Sequence, residues 1–410
     1  MDRIMNTDVR PMDKTLTLLV AIAALLGSVV ILAAGYPQAV AKGESVFFAD
    51  WRKHVIFLLG AVWVYFWVAR FSVDFLKVIA RPAFYFTFIG LILVFIPPFG
   101  VKINEAWRWI SVFGFTIQPS EFMKASVILY LSAVLSAPVL KSLPRPRDWV
   151  QTVDRRIIPF LQKSWPYLIV LIALVLIERE PDLGTSLMVG AAAFGVLLFS
   201  RISTKVLLTC LGIGVLIALI VIMSGFERYR FERFIKHGDR WNPAVAKDIG
   251  FQPTHSELAM ATGGATGVGV GKGRSKYIMP AATTDFIYTT AVEELGFFGS
   301  VSILVLLGAI SLRLIMQAGT IEDPFRRMIV GAVGWWIGVQ SVLNMLMAGA
   351  ALPTVGIPLP FFSYGGSSLF ALAVTMGIAQ AAIRGRVAQE AKRAVSRHRR
   401  GHRRTRLSRA

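Results

Sequence analysis

A single cysteine in 410 residues, Cys210, excludes an intramolecular disulfide framework and a thiolate metal cluster. Acidic side chains are scarce too, 24 against 44 Lys and Arg, and charged residues of both signs make up only 17% of the chain. With 55% hydrophobic residues and a mean hydropathy of +0.60, the composition fits neither a soluble multidomain protein nor a disordered one. It is that of a polytopic membrane protein. The net charge of +20 is no sign of nucleic-acid binding, since residues 384–409 carry eleven Lys and Arg against Glu390 alone, half of the excess. The first apolar run, 16–35, is too long for a signal-peptide core and lacks a small-residue cleavage site, so it reads as a retained helix.

Ten apolar segments can be drawn, at 16–35, 55–69, 78–97, 119–137, 166–177, 183–200, 206–223, 286–316, 328–350 and 362–383. The expected fold is therefore all-α, with about ten transmembrane helices in one membrane domain over 1–383 and a basic cytoplasmic tail over 384–410. Alternate connections are rich in Lys and Arg, which places both termini in the cytoplasm. The cytoplasmic connection 138–165 is basic and serves as an orientation signal. The extracytoplasmic loop 224–285, between helices 7 and 8, is long and mixed in charge. Its aromatic residues, glycines and short apolar patch at 258–261 favour an ordered cap over a disordered linker.

Carboxylates placed against this apolar background are costly and need a partner, a proton or a function. Asp285 meets the start of the run 286–316 and so lies at a membrane surface. Glu293 and Glu294 follow about 12 to 13 Å deeper at 1.5 Å per residue. Upstream, Gly263, Gly264, Gly267, Gly269, Gly271 and Gly273 precede Arg274 and Lys276. Such a run either presents backbone N–H groups and cations to a phosphate or is a flexible re-entry turn. It is not a nucleotide loop, because no strand precedes it and the Gly-Lys-Ser/Thr ending is missing. In the connection after the third segment, Trp107 and Trp109 suit interfacial anchors. Arg108 lies between them, and Glu121 and Lys124, three apart, form either an ion pair or part of a ligand site. Asp182 suits a helix N-cap. The uncharged stretch 351–361 and its neighbours carry three prolines, and backbone so broken at membrane depth must line something.

Four stretches together resemble the SEDS family, the FtsW, RodA and SpoVE proteins of bacterial cell-wall synthesis. They are Arg108-Trp109-Ile110 with Gln118-Pro119-Ser120-Glu121; Pro181-Asp182-Leu183-Gly184-Thr185; Thr284-Asp285-Phe286-Ile287 with Glu293-Glu294-Leu295-Gly296; and Gly356-Ile357-Pro358-Leu359-Pro360 with Ser363-Tyr364-Gly365-Gly366-Ser367-Ser368. The resemblance implies a ten-helix peptidoglycan glycosyltransferase that polymerises lipid II on the outer face of the cytoplasmic membrane. It would work with a class B penicillin-binding protein as the transpeptidase, and it leans towards the division type. It carries the essential aspartate onto Asp285 and conserved positions onto Arg108, Trp109 and Lys124. This chain departs from the family at Ala281 and Thr283, where Glu and His are usual, and at Glu180, where Gln is usual.

The residues suit that chemistry, which needs a base for the acceptor hydroxyl and cations for the leaving diphosphate. Asp285 is the expected base. Arg108, Trp109, Lys124, Arg240, Lys272, Arg274, Lys276, Ser363 and Tyr364 are the expected substrate contacts, with Glu121, Asp182, Glu293 and Glu294 in support. No residue pattern demands a metal, although a divalent cation (Mg or Mn) could share the diphosphate. Two other classes fit less well. A lipid flippase would carry cavity cations reachable from both sides, and a non-catalytic scaffold would leave Asp285 dispensable. The tail would attract anionic membrane lipids.

Overall fold

A computed structural model describes residues 11–41, 43, 49–103, 106–112, 114–137, 158–223 and 228–385. Most of the basic connection and all of the basic tail beyond residue 385 lie outside the described residues.

Each of the ten apolar segments falls on a helix. In chain order these are α1 (Lys14–Ala41), α2 (Ala49–Val68), α3 (Val73–Leu93), α4 (Pro119–Ser136), α5 (Ile158–Arg179), α6 (Leu183–Leu198) and α7 (Thr204–Met223), followed after the long loop by α11 (Ile287–Thr320), α12 (Pro324–Ala348) and α13 (Gly366–Arg384). Their starts carry ordinary helix signals. Ser72 accepts from Phe75 N, and Asp323 caps α12 by accepting from Arg326 N; α4 and α12 open with proline. Among the described residues five helices, α1, α3, α11, α12 and α13, are long and apolar enough to cross a bilayer on length and composition alone. Large apolar side chains such as Leu25, Trp63, Phe86, Val305 and Leu312 point outward, as lipid rather than water would require. The chain is thus a mostly helical multi-pass membrane protein.

The core centres on α12, which packs against α4, α6, α11 and α13. Its buried face includes polar Gln340, Ser341 and Asn344 as well as Trp336. At one end of the bundle Arg313 Nε and Gln317 Nε2 donate to Asp13 Oδ2 at 2.9 and 2.8 Å, and Gln380 Nε2 donates to Asp13 O at 3.1 Å. These bonds tie α1, α11 and α13 together. The connections after α3, α5, α7 and α12 all gather at the opposite end.

That opposite end contains structure that apolar runs do not reveal. Three short segments after α3 form a three-stranded antiparallel sheet, β1 (Gly100–Ile103), β2 (Ala106–Val112) and β3 (Phe115–Ile117), in the order β1-β2-β3. The all-helical expectation is corrected to that extent. The long loop is an ordered cap where it is described, with α8 (Arg228–Lys236), α9 (Pro243–Ala246) and α10 (Phe251–Gly263). Nor is the eighth apolar segment one straight helix. Gly296, at φ 70° and ψ −168°, breaks α11 into a short leg and a long one. A Cβ there would lie 2.2 Å from Gly267 N, so only glycine allows the cap this close.

Candidate active site

Asp285 sits on a tight turn just ahead of α11, and its position is set by backbone bonds. Phe286 N and Thr284 N donate to Ala281 O, while Ala281 itself holds the left-handed conformation at φ 60°. The proline-rich segment 351–363 braces the turn from behind. Ser363 Oγ donates to Thr284 O at 2.7 Å and accepts from Leu359 N at 2.7 Å. Tyr364 N donates to Thr283 O at 2.8 Å, and Asn344 Nδ2 on α12 donates to both Asp285 O at 2.9 Å and Ile357 O at 2.6 Å. Asp285 is half-buried as a residue, and among the described residues no donor bonds to its carboxyl. Burial pushes it up to about 6, with Asp182 and Glu121 acting in the same direction and Arg108 and Arg233 against it. A carboxylate held near neutrality is suited to accepting a proton.

Arg108 reaches this region because β2 bulges. Val101 pairs with Trp109 and Lys102 with Trp107, so Arg108 has no partner in the ladder and its side chain is re-aimed. Its Nε donates to Glu180 O at 2.8 Å and its Nη2 to Pro181 O, clamping the turn between α5 and α6. Asp182 closes that turn as N-cap, accepting from Thr185 N at 3.0 Å, from Thr185 Oγ1 at 2.9 Å and from Gln118 Nε2 at 3.1 Å. Gly184, the second residue of α6, abuts the brace: a Cβ there would meet Gly356 O at 2.6 Å. Glu180 is wholly buried, its carboxyl oxygens without hydrogen-bond geometry to any described residue and with Ser120 beside them. Burial raises it to about 9, so it is an uncharged acid at neutral pH.

The pair expected three residues apart on α4 does form. Lys124 Nζ lies 2.7 Å from Glu121 Oε2, both side chains are buried, and the ammonium stands 5.4 Å from the Trp336 ring centre. They line a cavity with Gln340, Ser363 and Ser368. Lys124 is thus not an exposed phosphate contact. It is a paired internal charge whose partner contributes to the field at Asp285.

Glu293 and Glu294 find their partners in the glycine run. Glu293 accepts from Arg274 N at 2.8 Å, from Ser275 N and from Ser275 Oγ. Glu294 accepts from Gly271 N at 2.9 Å, Gly273 N at 3.3 Å and Lys276 Nζ at 2.6 Å. Val268 N and Gly269 N bond the carbonyls of the same two residues, capping the short leg of α11. The glycine run is therefore a nest for carboxylates. Its N–H groups are already taken, and Lys276 is a buried counter-ion rather than a substrate cation. Lys272 and Arg274 are exposed on its rim. Arg240 is engaged with Glu257, its Nη2 2.5 Å from Oε1. Trp109 lies partly exposed on β2 beside Arg108.

The structure thus brings Asp285, Arg108, Asp182, Glu121, Ser363 and Tyr364 into one neighbourhood and sets Lys272, Arg274 and Lys276 apart around the nest. It also adds Asn344, Gln118 and Arg233. The first two are uncharged polar residues in or beside apolar helices, a signal that sequence reading could have used. Among the described residues no three His, Cys, Asp or Glu side chains are grouped to hold a metal ion.

Comparison with known proteins places this geometry. Residues 13–386 match the model of the FtsW, RodA and SpoVE family, described as cell cycle protein. Curated relatives include the probable peptidoglycan glycosyltransferase FtsW of Geobacter sp. strain M18, 34% identical over 89% of this chain and 95% of the relative. That of Bacillus subtilis strain 168 is 32% identical over 71% of this chain and 70% of the relative. Among solved structures, a chain from a peptidoglycan synthase complex that coordinates polymerization and crosslinking superposes with a TM-score of 0.69 at 25% identity, covering 91% of this chain and 97% of that one. The rod shape determining protein RodA of Thermus thermophilus gives 0.62 at 23% identity over 91% of this chain and 96% of its own, a likeness of fold.

Proposed function

The chain belongs to the FtsW, RodA and SpoVE family, and from that premise we propose that it is an FtsW-like peptidoglycan glycosyltransferase polymerising lipid II at the outer face of a bacterial cytoplasmic membrane. The observation that carries the reading is Asp285 itself: a half-buried residue whose carboxyl is raised to about 6, fixed through its backbone and lying in the field of Arg108 and Arg233. It takes the proton from the acceptor sugar hydroxyl as that oxygen attacks the anomeric carbon of the donor. The bond from that carbon to the diphosphate breaks, and the diphosphate leaves with the electron pair. Arg108 supports the departing charge through the face of its guanidinium not committed to the carbonyls of Glu180 and Pro181. The buried pair Glu121–Lys124 shapes the field rather than touching substrate. Both termini lie in the cytoplasm on this reading, residues 1–383 form one membrane domain, and a class B penicillin-binding protein supplies the transpeptidase. The neighbouring synthase-complex chain supports such a partnership.

The test is glycan formation from lipid II by the purified protein, with and without its transpeptidase and with Mg, Mn or chelator, comparing wild type with Asp285→Asn. Strands from wild type that vanish in a folded variant support the assignment. If neither protein made strands while both moved labelled lipid II across liposomes, the chain would be a flippase and Asp285 would lose its role.

A further inference from the structure

A substrate joined to a lipid carries its diphosphate at the membrane surface and its tail in the bilayer, so the tail must lie along the helices beneath Asp285. The bundle has a cleft there, of about 100 Å³, walled by α1, α2 and α13. Two of these helices meet closely. A Cβ on Gly60 would come 3.0 Å from the Phe370 ring, and one on Gly377 would come 2.8 Å from Val68 Cβ. α1 packs instead on α11 and stands off from α13. It joins the pair near its two ends. At the inner end Thr17 Oγ1 lies 3.1 Å from Tyr65 Oη, and Gln380 Nε2 donates to both at 3.1 Å. At the outer end Gly27 lets α1 close on Phe361, whose carbonyl oxygen a Cβ there would overlap. Between those ends Ala21 and Ala24 of α1 face Ala61 and Val62 of α2 and Leu372 and Ala373 of α13 across the gap. The lining runs from Thr17 to Ala24 and from Leu369 to Met376, about 10 Å of depth on either wall.

Hydrocarbon suits this space. The hydroxyls of Thr17 and Tyr65 are bonded to each other and to Gln380, so among the described residues the lining side chains leave water no unbonded polar group. An apolar cavity of this order stays dry and takes up hydrocarbon. Val62 and Phe66 stand exposed at its mouth, so the cleft opens sideways into the bilayer. Lipid tails are as apolar as the side chains they touch, and preference among them is therefore a matter of shape. The alanines notch the walls, which fits a chain bearing methyl branches better than a straight one. The cleft also runs up to the reaction centre. Phe361 closes its outer end and at the same time lines the cavity of Glu121, Lys124 and Ser363. It holds the left-handed conformation at φ 67°, rare for an aromatic residue. Two residues on, Ser363 bonds Thr284 O beside Asp285.

We propose that the cleft between α1 and the α2–α13 pair seats the branched isoprenoid tail of a lipid-linked substrate, holding it below Phe361 while the head group lies at Asp285. The proposal rests on the polymerase reading above.

The experiment uses the full chain with its transpeptidase in nanodiscs and compares lipid II with an analogue whose tail is too short to pass Phe361. Ala24→Leu and Ala373→Leu, which fill the cleft from two walls, are expected to raise KM for lipid II about tenfold with kcat little changed. KM for the short-tailed analogue is expected to stay within about twofold of wild type. Misfolding would harm both substrates alike. Unchanged KM for lipid II, or an equal rise for both substrates, would overturn the proposal. Binding is read separately with an isoprenoid diphosphate that carries a photoreactive group in its tail. It is expected to label the cleft residues of α1, α2 or α13 in wild type and about tenfold less in Ala24→Leu. No label in the cleft would overturn the proposal. So would label displaced as well by straight-chain phosphatidylglycerol as by unlabelled isoprenoid diphosphate, which would assign the cleft to phospholipid. If wild type made no glycan, labelling lost in Ala24→Leu would retain the isoprenoid site while the polymerase reading failed, and no labelling would remove both.

Discussion

Asparagine at position 285 should cost activity and add stability, and the opposite signs are what make the substitution informative. The amide keeps the shape of the side chain but cannot take a proton, so the rate should fall roughly 10²- to 10⁴-fold, the usual worth of a general base. The same change removes a penalty. The carboxyl is displaced from 3.8 to about 6, and at about 1.4 kcal/mol per unit the ionised form costs at most about 3 kcal/mol, less for the part that solvent reaches. Between those two values the unfolded chain has lost its proton while the folded chain keeps it, so stability falls as pH rises through the window and the full penalty persists above it. The variant should therefore melt higher than wild type at neutral pH, with the gap closing below about pH 4. Thermal unfolding in detergent across that range, beside glycan formation on gels, reads both effects. Wild-type turnover should be half-maximal near pH 6 and drop tenfold per unit below it. An inactive variant that melted lower at neutral pH would show Asp285 to be a structural anchor and refute the assignment.

Glu180→Gln should leave activity intact and raise the melting temperature at neutral pH but not near pH 4, because the buried acid is already uncharged and its raised value, about 9, opposes folding over the interval between; polymerisation and melting curves check both. Lys276→Met leaves Glu294 buried without its counter-ion and should cost about 3 to 5 kcal/mol, whereas Lys272→Met on the exposed rim should stay within about 0.5 kcal/mol by denaturant titration. Arg108→Lys cannot bridge the carbonyls of Glu180 and Pro181 together. Its turnover should fall more than its KM rises, and circular dichroism should be unchanged.

The helices were legible because bilayer-facing segments must be long and apolar, and each of the ten runs is a helix. Buried and lipid-facing positions are both largely apolar, Val342 and Leu346 being exposed on α12 itself, so hydropathy did not tell this central helix from its neighbours. The sheet was not legible: its strands are three to seven residues long, and Trp107, Arg108 and Trp109 look as much like interfacial anchors as like a bulged strand. Glu293 and Glu294 were rightly marked as needing partners, but periodicity could not show that the glycine run, twenty residues upstream, folds back to supply them. Sequence order likewise could not distinguish the exposed Lys272 and Arg274 from Lys276, whose charge is spent on Glu294. Asp285 stood out for the reason that makes it useful, a carboxylate against an apolar background.

The interruption at Gly296 has a mechanical meaning for an enzyme whose solvent is a membrane. Bilayers differ in thickness, and a spanning helix adjusts by tilting. The long leg of α11 starts where helical geometry is broken and where Phe297 N and Phe298 N are fastened to Gly264 O and Ala265 O of the cap. A change of tilt below is taken up at that pivot. The short leg and Asp285, eleven residues upstream, keep their alignment with the brace while the rest of the helix follows the lipid.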